Sequence, residues 1–273
     1  MYIFWIYLNK LSYKNFFDEI TTFKKQNIVF TPNPEILLKA KKDNEFKKNL
    51  KKSDYLTSDW IGLYIAYQIM DFDSIFLKFF INIFLMPYYI FNIFFRKNYL
   101  YKKYWDRICW SDLTLDLVNF ASKNNIKISI IDLYNPTDLK KVDSQKKIEK
   151  RLIKKFPKLK FDYFIYNPKK KEKIIKDISK SDSKILFSTL WMKFQEESIL
   201  EVTKEAKNIK LWLGIGSSFD YIIWFQKRAP KFFRVIWLEW FYRIFTWPQK
   251  LKRLNRIWNA VFIFLWTILT SKI

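Results

Sequence analysis

Several residues in this chain have the types and spacing that chemistry requires. Asp59 stands in Ser58-Asp59-Trp60-Ile61-Gly62, at the start of an apolar helical run. A carboxylate there can cap the helix by accepting a backbone N–H, or it can take a proton from a substrate. Gly214 and Gly216 end the apolar run Leu211-Trp212-Leu213, and Asp220 follows closely. Glycines after a buried strand let the backbone approach a ligand. Beyond the break at Arg228-Ala229-Pro230, the cations Arg243, Lys250, Arg253 and Arg256 recur near helical spacing. Such a stripe suits a phosphate-rich ligand, or is simply the solvated face of a surface helix. Thr31 and Asn33, in Thr31-Pro32-Asn33-Pro34-Glu35, follow a short apolar strand. They stand where open α/β sheets bind ligands, although Asn33 would serve equally as the cap of the next helix. Gln195-Glu196 follows another strand, with ligand contact and helix capping as its two readings.

Composition narrows what these groups can do. The chain has 273 residues, half of them hydrophobic, which is enough for one core of ordinary domain size. It contains no histidine, so Ser-His-Asp and Cys-His machinery is excluded and acid–base work falls to carboxylates. Cys109 is the single cysteine, which excludes an intramolecular disulfide, fits a reducing compartment and argues against a zinc site. Fifty Lys and Arg against 26 Asp and Glu give a net charge of +24. The expected partner is therefore anionic: a nucleic acid, a phospholipid surface or a diphosphate-bearing substrate. An aromatic content of 21% favours the lipid surface, where rings settle at headgroup level beside Lys and Arg. RNA is the competing polyanion, but the basic residues lack the interleaved surface aromatics of RNA-binding modules, so no nucleic-acid partner is expected. Residues 1–10 show neither a cationic leader nor a small-residue cleavage site, and read as part of the fold.

The elements that must position these residues alternate. Strands are expected near residue 3 and over 27–31, 127–132, 161–166 and 184–190, and helices over 13–25, 35–51, 63–70, up to 122, 137–156 and 171–179. This order predicts an α/β, Rossmann-like fold, a mainly parallel sheet with helices on both faces. The lysine tract at 168–173 reads as a solvated loop. Residues 74–95 are apolar except for Lys78 and a few amides, and approach the roughly 20 residues of a membrane span. Lys78 and Pro87 favour instead a hairpin that re-enters or lies on the membrane, held to an anionic leaflet by Arg96, Lys97, Lys102 and Lys103. A buried helix pair is the alternative. Residues 257–273 form an apolar tail shaped to lie on a membrane. The expected organisation is a core over 1–240, carrying the hydrophobic helical insertion 74–95, and a basic and apolar C-terminal helical appendage over 241–273.

Read in order, these motifs carry a resemblance. The Thr31–Glu35 and Ser58–Gly62 segments, Arg107-Ile108-Cys109-Trp110-Ser111-Asp112-Leu113, Gln195-Glu196, the Gly214–Asp220 turn, Arg228-Ala229-Pro230 and Leu238-Glu239-Trp240-Phe241-Tyr242-Arg243 resemble the signatures of the WecG/TagA/CpsF glycosyltransferases, glycosyltransferase family 26. The similarity runs from Trp5 to about Arg256, with 74–95 resembling an insertion. It implies an inverting enzyme, peripheral or monotopic on the cytoplasmic face of the membrane, that acts in cell-surface polysaccharide synthesis. The transfer it implies moves an N-acetylmannosamine-type sugar from a UDP-sugar donor to a polyprenyl-diphosphate-linked sugar, with no bound metal or other cofactor. On the matching positions the resemblance makes Asp59 the catalytic base. Arg243, Lys250 and Arg253 become the diphosphate clamp, with lysine at 250 where arginine is usual. Thr31 and Asn33 orient the sugars, Arg107 and Gln195 line the pocket, and Asp220 joins the substrate-binding set. Members of the family form assemblies, so an oligomer is compatible with it. A family member using a different UDP-sugar, and a non-catalytic membrane-binding homologue, are the alternatives.

The departures from the family pattern fall on glycine positions. Trp5, Trp60, Trp110, Trp191, Trp224 and Trp237 stand where the family has glycine. The chain has 3 glycines and 12 tryptophans, whereas average usage would supply about 19 glycines. Glycine serves positive φ and close backbone approach, for which tryptophan is the worst replacement. The expectation is a UGA codon that means glycine in the source and is rendered as tryptophan in this sequence. Asp132-Leu133, in place of a glycine pair, and Lys193, in place of a proline, do not fit that account, and put nucleotide contacts there in question.

Overall fold

The chain opens with a two-stranded antiparallel hairpin, β1 (Tyr2–Ile3) and β2 (Ile6–Tyr7), whose Ile3 and Ile6 are fully buried. Among the described residues six further strands follow: β3 (Asn27–Phe30), β4 (Tyr55–Leu56), β5 (Ile128–Leu133), β6 (Phe161–Tyr166), β7 (Ile185–Ser188) and β8 (Leu211–Gly214). They form one sheet in the order β4-β3-β8-β7-β5-β6, every pair parallel. The structure, a computed structural model, describes residues 2–57, 61–70, 80, 84, 88, 91–92, 96, 106, 108–133, 149–216, 218–222, 229–230, 233, 242, 254–255 and 258–270.

A parallel sheet must be covered on both faces, so its strands are apolar on both sides. That is why the central strands read as unbroken apolar runs. In β8, Trp212 faces one core, while Leu211 and Leu213 face the other, as the two-residue period of a strand requires. The first core is closed by α2 (Pro34–Lys42), α3 (Asn44–Leu50), α4 (Ile61–Met70), α6 (Lys171–Lys180), α7 (Phe194–Glu205) and α9 (Phe264–Thr270). The second is closed by α1 (Tyr13–Ile20), α5 (Trp110–Lys123), α8 (Ser218–Ile222) and the helical residues 149–155. The expected Rossmann-like α/β sandwich is therefore the observed one.

Local departures from expectation have local causes. The helix expected over 13–25 stops at Ile20, because Thr21 and Thr22 turn their hydroxyls onto preceding carbonyls and Phe23 takes a φ of 53°. The helix expected over 35–51 is two helices. Asp43 leaves the helical region, with φ −118° and ψ 100°, and its carboxylate caps α3 by accepting the Phe46 N–H. The lysine tract is not a loop: Asn167 accepts the Lys169 N–H, residues 168–170 form a 3-10 turn, and α6 begins at Lys171. The tail contains a π-helical turn at Asn259–Ile263 before α9, and Phe264 and Ile268 of α9 are buried in the first core. Phe80, Phe84, Tyr88 and Phe91, within the expected insertion, are helical and exposed. No helix among the described residues is long and apolar enough to cross a membrane.

The hairpin gives the first structural reading of a suspect tryptophan. Phe4 and Trp5 are the two residues between β1 and β2, with φ of 51° and 65°. A two-residue hairpin loop with both φ positive is the turn that selects Asn-Gly, with glycine second. Trp5 holds that glycine position while 69% exposed, so packing gives little back for the strain. Trp110, by contrast, starts α5 at an ordinary helical position, and Trp191 has no positive φ. Trp60, Trp224 and Trp237 lie outside the described residues. Relief of left-handed strain is worth about 1 kcal/mol. Trp5→Gly is thus expected to raise the urea midpoint by that equivalent, and peptide mass spectrometry of protein from its native source to read glycine at position 5. Tryptophan mass there, with no gain in midpoint, would sink the codon account.

Candidate functional site

At β8 the connections of neighbouring strands reverse from one face of the sheet to the other. β3 and β7 both run on into helices of the first layer, α2 and α7. β8 lies between them and runs on into α8, in the second layer. Neighbouring chains that leave a sheet in opposite directions open a crevice at the carboxyl ends of the strands, where α/β proteins take their ligands. The glycine turn Gly214-Ile215-Gly216 stands at that end of β8.

Backbone conformation and packing explain both glycines. Gly216 has a φ of 49°, in the left-handed region. A Cβ on Gly214 would lie 2.2 Å from Nε2 and 2.5 Å from Cδ of Gln195, so the glutamine amide lies directly against the Gly214 backbone. Gln195 is 7% exposed, and both ends of its amide are engaged. Its Oε1 accepts the Gly216 N–H at 3.0 Å, and its Nε2 donates to Glu196 Oε1 at 3.2 Å. Glu196 is fully buried, and its Oε2 accepts the Lys193 N–H at 2.7 Å. Burial pushes its carboxyl pKa up, against the opposing pull of these N–H donors.

Three buried hydroxyls stand at the same edge. Thr31 directly follows β3, Thr57 follows β4, and Ser188 ends β7. Each is more than nine-tenths buried, and none of their Oγ atoms has a protein partner among the described residues. The Thr57 N–H donates to the Phe30 carbonyl, which sets Thr57 beside Thr31 across the β3–β4 pair. Thr57 and Ser188 were not picked out from sequence. The signal was there for Thr57, since Leu56-Thr57 repeats the apolar-to-threonine ending of Phe30-Thr31. Ser188 offered none beyond closing an apolar run.

The other expected residues divide. Asn33 is exposed and caps α2, its Oδ1 accepting the Ile36 N–H at 2.9 Å. Asp220 lies in α8, one turn beyond the Gly216 loop. Asp132 is the penultimate residue of β5, and its carboxylate accepts from the Tyr163 and Thr189 hydroxyls at 2.7 and 2.9 Å. Lys193 caps α7 with a φ of 79°, which a proline ring could not reach, and its Nζ pairs with Asp43 at 3.4 Å. Asp59, Arg107, Arg243, Lys250, Arg253 and Arg256 lie outside the described residues. In the sequence Asp59 stands two residues beyond Thr57.

The opposite edge of the sheet has a different character. A concavity of about 630 Å³ lies at the amino ends of β5, β6 and β7. There Lys127 pairs with Asp182 at 2.7 Å and Asp162 at 3.0 Å, and Ser181 donates to Asp162. One lysine is thus shared between two carboxylates. At the carboxyl edge, a groove of about 730 Å³ runs from Met192 along Leu38, Lys39 and Lys42 to Ile263. Among the described residues, no three His, Cys, Asp or Glu side chains gather to hold a metal.

Comparison with protein families supplies one match. The model of the glycosyl transferase WecG/TagA/CpsF family fits residues 1–75 and 93–273, leaving out only 76–92, within the apolar stretch that carries Phe80, Phe84, Tyr88 and Phe91. The matched residues include the strand ends that carry Thr31, Thr57, Ser188 and Gly216, and the motifs containing Asp59, Arg107 and Arg243. A match of that extent shows that this chain belongs to the WecG/TagA/CpsF glycosyltransferase family, whose members act in the synthesis of cell-surface polysaccharide.

Proposed function

We propose that this protein is an inverting glycosyltransferase that moves an N-acetylmannosamine-type sugar from a UDP donor to a polyprenyl-diphosphate-linked sugar. The observation that supports this best is the coincidence of the family match with the crevice at the end of β8. Glycosyl transfer with inversion needs a base to take the proton from the acceptor hydroxyl while its oxygen attacks the anomeric carbon. The bond to UDP breaks on the opposite face, and the UDP leaves with the electron pair. Asp59 is the base in this reading. Thr31 and Asn33 orient the sugars, while Arg107, Gln195 and Asp220 complete the pocket. Arg243, Lys250 and Arg253 neutralise the charge that develops on the diphosphate, so the chemistry proceeds without a bound metal.

The acceptor carries its sugar on a lipid, and the surface offers matching features. Leu254, Trp258, Phe262 and Trp266 are exposed at four-residue spacing, on the side of the C-terminal segment opposite buried Phe264 and Ile268. Exposed aromatics beside Lys and Arg suit an anionic bilayer surface. The 730 Å³ groove ends at Ile263, close to this stripe, and combines apolar walls with Lys39 and Lys42. That mixture fits a lipid-linked diphosphate. Docking of the stripe on the cytoplasmic leaflet would bring the basic segment that precedes it to the site.

Three outcomes test this reading. Asp59→Asn is expected to lower kcat for transfer from UDP-N-acetylmannosamine to a short-chain lipid-diphosphate sugar by about 10²–10⁴, with the fold unchanged by circular dichroism. Arg243→Ala is expected to remove about 2–4 kcal/mol of transition-state stabilisation, read as a fall in kcat. Replacing Trp258, Phe262 and Trp266 together by serine is expected to abolish sedimentation with anionic vesicles. Because Phe264 and Ile268 are left in place, that variant should keep its thermal midpoint. Full activity of Asp59→Asn would remove Asp59 from the mechanism, and undiminished vesicle binding would remove the stripe from the membrane contact.

A further inference from the structure

We propose that Glu196 is a positioning residue, which fixes the glycine turn of the site by dictating which way the Gln195 amide points. The argument is one of donors and acceptors. A carboxylate only accepts, so the amide group facing Glu196 Oε1 must be the Gln195 NH₂. Its carbonyl oxygen then necessarily faces the other way, toward the Gly216 N–H, which donates to it at 3.0 Å. The amide that carries this message lies against Gly214, where even a methyl group would collide with it. Glu196 is itself held by the Lys193 N–H and sits in the first turn of α7, where the helix dipole favours negative charge. Among the described residues it meets N–H groups and no cation. A fully buried carboxylate is costly, and an apolar residue would pack the helix more cheaply. Its presence is explained by orienting the amide.

The chain of bonds crosses the site, from the β7–α7 connection to the β8–α8 turn. Gly216 is held at positive φ by a side-chain acceptor, and α8, which carries Asp220, begins two residues later. Single and paired substitutions at 195 and 196 differ in what they leave unmatched. In Glu196→Gln, the new amide oxygen can still accept the Lys193 N–H, but its NH₂ then faces the Gln195 NH₂. If Gln195 flips to avoid this, its NH₂ faces the Gly216 N–H, so one donor meets another in either case. Gln195→Glu sets two carboxylates face to face. The exchange Gln195→Glu with Glu196→Gln restores every pair: the new amide at position 196 accepts from Lys193 and donates to the new carboxylate at position 195, which accepts the Gly216 N–H.

The test uses protein that carries tryptophan at the six suspect positions; its 3 glycines are Gly62, Gly214 and Gly216. Protein labelled with ¹⁵N-glycine gives three backbone amide signals, and their hydrogen exchange can be followed one by one. Glu196→Gln is expected to lower protection at Gly216 at least tenfold while leaving Gly214, the last residue of β8, protected. The exchanged pair is expected to recover both the Gly216 protection and kcat for sugar transfer. Unchanged protection at Gly216 in Glu196→Gln, or equal loss at Gly214 and Gly216, would overturn the proposal. If Glu196→Gln does not fold, the exchanged pair is compared with Gln195→Glu alone; no advantage of the pair would overturn it equally. Only the kcat arm rests on the glycosyltransferase reading. Absence of transfer by the unaltered protein would count against that reading and leave the amide exchange result standing.

Discussion

The fit of β8 between β3 and β7 is the constraint on which the rest depends. Three parallel strands lie side by side, and the middle one must leave the sheet on the opposite side from its neighbours. Its end therefore has to turn sharply with helices crowding in from the first layer. Glycine at 214 admits the Gln195 amide, and glycine at 216 admits the left-handed turn. The crevice, the approach of Thr31 and Thr57 along the same edge, and the placement of α8 all follow from that reversal. Where ligand groups converge on such an edge, unmatched hydroxyls are what the protein has to offer, and Thr31, Thr57 and Ser188 are of that kind.

Charge is handled differently at the two ends of the sheet. At the amino edge, Lys127 sits between Asp162 and Asp182, with Asp182 largely in water, so the pairs contribute little to stability. Near the carboxyl edge, Glu196 is buried and its pKa is raised chiefly by burial. A carboxyl whose folded pKa lies above its unfolded value binds its proton more tightly when folded. Its ionisation therefore costs stability at neutral pH, and that cost is relieved as pH falls through the raised value. Folds tolerate such costs where an element must be oriented, which is the sense in which this carboxylate belongs to the site.

Much of this was legible in the chain. Apolar runs alternating with amphipathic helices pointed to the parallel sheet, Gly214, Gly216 and Thr31 were singled out from type and position, and Gln195 from the family resemblance. What the sequence did not disclose depended on partners far away in it. Nothing local in Ser188 says that its hydroxyl is buried without a partner among the described residues. The break at Asp43 turned on a side chain that caps a following helix, against residues that otherwise favour one continuous helix. Lys193 looked like a lost proline, but its positive φ belongs to a turn tied down by Glu196, which pairwise bonds reveal and spacing does not. The strain at Trp5 was foreseen as a missing glycine, and the hairpin supplies the physical reason why the position wants one.

The central claim is inverting transfer of a sugar from a nucleoside diphosphate at the end of β8. The most direct measurement is the anomeric configuration of the product, read from the one-bond C–H coupling at the anomeric carbon after reaction with an α-linked, ¹³C-labelled UDP-sugar and a lipid-diphosphate sugar. The account predicts a β-linked product formed with one equivalent of UDP. An α-linked product would contradict it, because retention requires a different arrangement of nucleophile and leaving group from the single-base displacement proposed for Asp59.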